Sequence, residues 1–124
     1  MLAGASVQRG WLTDESDHLP GMSPASGQLV IRWTGSTMSG HLAWRGALAQ
    51  NQTSRMGGET NTPAFVLVDV GTDWTLNQAL SLEIKAENLF DTAYSEHLDW
   101  GGALRPGRTF RVTLRMNTRQ AIDE

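Results

Sequence analysis

The side chains with most chemical capacity are the histidines His18, His41 and His97 and the carboxylates around them. His18 and His97 fall on long connections that should leave the same end of the fold, with Met22, Met56, Glu96 and Asp99 as neighbours. Imidazole, carboxylate and thioether groups ligate transition metals and their chelates. His18, His97 and Glu96 are therefore candidate ligands of a loop-borne metal or metal-chelate site, although solvated loop side chains are the plainer reading. Ser95-Glu96-His97 juxtaposes a hydroxyl, a carboxylate and an imidazole, but sequence neighbours form no triad without a fold that arranges them. Phosphate-cradling G-x-x-x-x-G-K-[ST], H-E-x-x-H and G-x-S-x-G patterns do not occur. No constellation supports an enzyme, a catalytic residue or a cofactor.

The elements that must position these residues show as period-two alternation. Leu80, Leu82, Ile84 and Ala86 alternate with Ser81, Glu83, Lys85 and Glu87. Phe110, Val112, Leu114 and Met116 do so with Arg111, Thr113 and Arg115. Leu29, Ile31 and Trp33 share one parity of a second segment, and Met38, Leu42, Trp44 and Leu48 share one of a third, where His41 falls on the polar side. Val66, Val68, Val70 and Trp74 line one side of residues 64–75, with Asp69 and Asp73 opposite. Ala3 to Thr13 reads as a first strand of ambiguous register, because Arg9 shares the parity of Val7 and Trp11. Residues 47–50 and 120–124 have weak helical character.

The prediction is an all-β chain, an antiparallel meander of about six strands. Strands of roughly 8–12 residues suit a tilted bilayer crossing. Links Gly35-Ser36 and Leu76-Asn77-Gln78-Ala79 are short, whereas 14–26, 51–63 and 91–107 are long. Short and long alternate strictly, as they do in outer-membrane barrels. Trp33 and Trp74 each lie about two residues before a short link, on the apolar parity, where an interfacial aromatic girdle would place them.

Composition agrees. The 124 residues carry 10 Lys+Arg and 13 Asp+Glu, a net charge of -3, with the basic residues dispersed, so no nucleic-acid partner is expected. The absence of cysteine excludes disulfides and Cys-based zinc sites. The longest apolar run, Ala64 to Val68, is far too short for a transmembrane helix. Six strands cannot close a barrel of eight or more, and Met1 leads almost directly into a strand, so the chain reads as part of something larger. The alternative is a small soluble β-sandwich or lipocalin-like ligand-binding module that uses the long loops.

Two stretches carry a family resemblance. Glu87-Asn88-Leu89-Phe90-Asp91-Thr92-Ala93-Tyr94 resembles the v-N-L-F-D-x-x-Y motif of TonB-dependent outer-membrane receptors, and Pro106-Gly107-Arg108-Thr109-Phe110 resembles the P-G-R-x-F that opens their final strand. Leu19-Pro20-Gly21-Met22-Ser23-Pro24 is similar to their L-P-x-x-P loop, and Glu59-Thr60-Asn61-Thr62 followed by Val66 to Trp74 fits their antepenultimate strand. The resemblance runs from about Ala5 to Asn117. It implies that residues 1–117 are the last six strands of a large transmembrane β-barrel, and residues 118–124 a polar tail.

By that resemblance Asn88, Leu89, Phe90, Asp91, Tyr94, Pro106, Gly107 and Arg108 have structural roles. The implied whole is a plugged barrel of about 22 strands in the bacterial outer membrane, taking up a siderophore, haem, cobalamin or metal ion. Its partners would be outer-membrane lipid, the rest of the barrel and its plug, TonB through that plug, and a small metal-complex ligand. The sequon Asn51-Gln52-Thr53 would carry no glycan there. One departure is the absence of a terminal aromatic: the apolar parity leads to Thr118, which suggests a truncated gene or an unusual C-terminus.

Overall fold

A computed structural model of the chain describes residues 1–13, 17–55 and 57–117. Six strands, β1 (Leu2–Ser6), β2 (Ser26–Thr34), β3 (Met38–Ala47), β4 (Phe65–Thr75), β5 (Leu80–Glu87) and β6 (Thr109–Met116), form one sheet in sequence order. All neighbours are antiparallel. The remaining element is a short 3-10 turn at Trp100–Gly102. No helix among the described residues is long and apolar enough to cross a membrane, which says nothing of strands.

Register turns the six alternations into two surfaces. Residues directly opposite in a ladder share a face, and the pairs Leu29 with Trp44, Leu42 with Val70, Val70 with Ala86 and Ala86 with Phe110 join the apolar parities across the sheet. The resulting face carries no charged residue within any strand. It is also uncovered: Leu42 is 41% exposed, Val112 67% and Met116 69%. A one-residue slip anywhere would invert a strand, so the agreement of every pair identifies the register as the one the sequence encodes.

The short links are tight. The Gly35 amide donates to the Met38 carbonyl (2.8 Å) and the Leu76 amide to the Leu80 carbonyl (2.9 Å). Loop 1 (residues 7–25), loop 2 (48–64) and loop 3 (88–108) all leave the opposite end. Phe65 and Leu67 on the polar face and Ala86 on the apolar face are the buried apolar side chains among the described residues.

Two expectations need correction. β1 ends at Ser6, paired with Ser26, instead of running from Ala3 to Thr13. Beyond Ser6 the partner strand has ended, and Trp11 instead forms an isolated bridge with His18, while the Leu19 amide donates to the Gly10 carbonyl. Residues 47–50 are not helical: Ala47 closes β3 and Gln50 bridges Thr62. The tail 118–124, with Thr118 and the helical expectation for 120–124, lies outside the described residues, as does Met56.

Candidate functional site

Where β5 gives way to loop 3, Asn88 and Asp91 adopt left-handed backbone conformations (φ 50° and 56°), which short side chains able to bond locally tolerate best. The Asn88 carboxamide is buried. It accepts from the Thr92 amide and donates to the Thr92 carbonyl, both at 2.9 Å, and reaches the Pro106 carbonyl at 3.4 Å. The Asn88 amide donates to Asp69 Oδ1 at 2.7 Å. Asp91 Oδ1 accepts from the Arg108 amide at 2.7 Å, and a Cβ on Gly107 would come 2.6 Å from that same oxygen. Asn88, Asp91, Pro106, Gly107 and Arg108 thus form one clasp that starts β6 in register. Leu89 anchors it through its amide on the Val68 carbonyl (2.8 Å), while Phe90 is exposed.

Above this clasp the loops are laced together. Tyr94 packs on Phe65 with centroids 4.8 Å apart. Arg45, from the polar face of β3, lies against both rings and donates to Glu96 (2.6 Å) and Tyr94 Oη (3.4 Å). The His97 side chain is buried, with Nδ1 2.9 Å from the Thr62 hydroxyl and Nε2 3.8 Å from Glu59 Oε1. Glu59 accepts from the Gly21 amide and from the Ser54 amide (2.9 Å). Burial pushes the Glu59 carboxyl up, but these two amides and the neighbouring His97 outweigh it and hold the group below its ordinary value. Ser54, fully buried, donates to Asp17 (3.1 Å), and Gln50 donates to the Met22 carbonyl (2.6 Å). In loop 3, Arg105 holds Asp99 low by a bidentate pair (2.7 and 2.5 Å), with the Glu96 amide assisting.

The metal candidates do not converge. Glu96 turns to Arg45 and His97 to Thr62 and Glu59, while the His18 backbone is bridged to that of Trp11 in loop 1. Among the described residues no group of three or more His, Asp or Glu side chains could hold a metal ion. An open hollow of about 400 Å³ lies between β1–β3 and the loops, walled by Gln28, Arg45, Phe65, Glu96 and His97. Sequence reasoning missed Arg45, Glu59, Ser54 and Asp17 as loop organisers; the available signal was Phe65 and Leu67, apolar residues on an otherwise polar parity.

Lower on the same face, Arg115 and Lys85 both reach Glu83, and Arg115 is 3.8 Å from Asp73. Asp73 and Glu83 lie directly opposite each other, a like-charge pairing that costs stability unless cations bridge it. On the apolar face Trp33 and Trp74 both sit at the short-link end and are exposed. The Trp33 ring covers Gly40, its ladder partner, where a Cβ would collide with the indole.

No protein-family model and no curated protein matches the chain. Twenty-eight chains of solved structures do, among them the Copper transporter OprC: the alignment covers 92% of this chain and 20% of that one, at 20% identity and a TM-score of 0.77. At that identity the likeness is one of fold. This chain spans about a fifth of that transporter's length.

Proposed function

We propose that this chain is the C-terminal portion of the barrel of a TonB-dependent receptor in the bacterial outer membrane, which takes up a metal complex or a comparable scarce nutrient. One observation carries the reading: a charge-free, uncovered apolar face runs across all six strands, opposite a face holding Arg32, Arg45, Asp73, Glu83, Lys85, Arg111 and Arg115. Lipid matches such a face; water does not, because soluble monomers rarely leave so large an apolar area open. The likeness to a copper transporter and the resemblance of the Asn88–Tyr94 and Pro106–Phe110 motifs support transport of a metal species. The plug, and TonB acting through it, belong to the longer protein this reading implies.

Trp33, Trp44 and Trp74 provide the test. Folded with phosphatidylcholine vesicles, the chain should show indole emission quenched by brominated acyl chains. A monodisperse monomer in plain buffer that ignores vesicles would overturn the membrane reading in favour of a soluble module. Deleting the gene in its host should lower uptake of radiolabelled copper or ferric chelates, and unchanged uptake of all of them would remove the nutrient assignment.

A further inference from the structure

Basic residues within the strands all lie on the polar face; Arg108 does not. It shares the parity of Phe110, Val112, Leu114 and Met116, just before β6, and so stands at the long-loop rim of the apolar face. Its guanidinium carbon lies 5.9 Å from the Phe110 ring centroid, and Phe110 is itself 67% exposed. The backbone beneath is pinned, since the Arg108 amide donates to Asp91 Oδ1 at 2.7 Å. Among the described residues the guanidinium has no carboxylate within ion-pairing distance. Nearby Arg105, by contrast, is taken up by Asp99.

We propose that Arg108, within cation–π range of Phe110, is a binding site for the phosphate of an anionic lipid headgroup at the loop-side rim. This rests on the membrane reading above. An arginine whose stem lies along apolar surface can keep its head at the polar boundary, and the planar guanidinium fork matches phosphate oxygens two at a time. The Phe110 ring lies within cation–π range of the guanidinium. The chain as a whole carries a net charge of -3, so bulk electrostatics oppose binding to an anionic surface. A preference for anionic lipid must then come from a local site.

The experiment compares partition of the whole chain into phosphatidylcholine vesicles with and without phosphatidylglycerol, at low and high salt. Arg108→Gln should reduce the preference for the anionic vesicles about fivefold, and salt should abolish the difference. Arg108→Lys should keep part of the preference. Arg111→Gln, on the opposite face, should keep all of it. Inorganic phosphate at millimolar concentration should not compete. The proposal is overturned if Arg108→Gln retains the preference, if Arg111→Gln loses as much, or if inorganic phosphate competes and so marks a general anion site. Binding to neutral vesicles without an Arg108-dependent preference defeats this proposal alone, whereas no binding to any vesicle defeats the membrane reading with it.

Discussion

Asn88 offers the sharpest test of how the final strand is held. Its side chain makes two good hydrogen bonds to Thr92 and one long contact to Pro106, and its backbone sits at φ 50°. Asn88→Ala removes the two good bonds, each worth about 1 kcal/mol, and places a Cβ-bearing residue with no compensating bond in the left-handed region, at about 1 kcal/mol more. The expected loss is about 3 kcal/mol. Asn88→Gly loses the same bonds without the left-handed penalty, so it should cost about 2 kcal/mol. The expected order, glycine milder than alanine, is the reverse of what a residue inside a strand shows. Urea unfolding in detergent micelles, followed by tryptophan emission, reads both variants. If alanine is tolerated within 1 kcal/mol of the parent, or if glycine is the worse of the two, the clasp does not hold β6 as argued.

Three further outcomes follow from the same geometry. Val112→Arg puts a charge on the apolar face and should lower stability in bilayers by about 2–4 kcal/mol, whereas Thr113→Arg, one residue on and facing the charged side, should change it little; equal effects in vesicle-folding titrations would contradict the assignment of faces. Gly107→Ala brings a Cβ against Asp91 Oδ1 and should release the Arg108 amide from that carboxylate, seen as faster hydrogen exchange at Arg108 with exchange at β3 unaltered. Glu59, held below its ordinary value of 4.5, contributes stability to the loop cluster above that pH and loses it as pH falls through the lowered folded value; exchange at the Gly21 and Ser54 amides should accelerate on acidification in the parent, and already be fast at neutral pH in Glu59→Gln.

The sheet was legible in the sequence because its alternation is strict: from Leu80 to Glu87 and from Phe110 to Met116, side-chain period and polarity agree at every residue. The strict alternation of short and long links likewise announced a meander with one loop-rich end. β1 stops short of the expected Thr13 although Val7 and Trp11 keep the parity of Ala3 and Ala5, broken only by Arg9, and no local signal reports that a strand has lost its partner. The N-L-F-D and P-G-R motifs marked where strand meets loop, and Asn and Asp there suggested bonds to nearby backbone. That Asn88 reaches Thr92 and Pro106, and that Asp91 meets Gly107 and Arg108 across 16 and 17 positions of chain, is a matter of folded distance.

The candidate site divides in the same way. Residue type made His18, His97 and Glu96 plausible ligands, but coordination needs convergence, and convergence is set by three loops whose paths local propensity does not determine. The fold sends Glu96 to Arg45 and His97 to Glu59 and Thr62, using both to lace loops rather than to gather around an ion. What the sequence by itself determined is which parity of each strand is apolar, because a period of two is a property of the extended backbone. What only the tertiary structure decided is that all six apolar parities fall on one uncovered face, and which polar residues meet above the other, because register and loop closure join residues far apart in the chain.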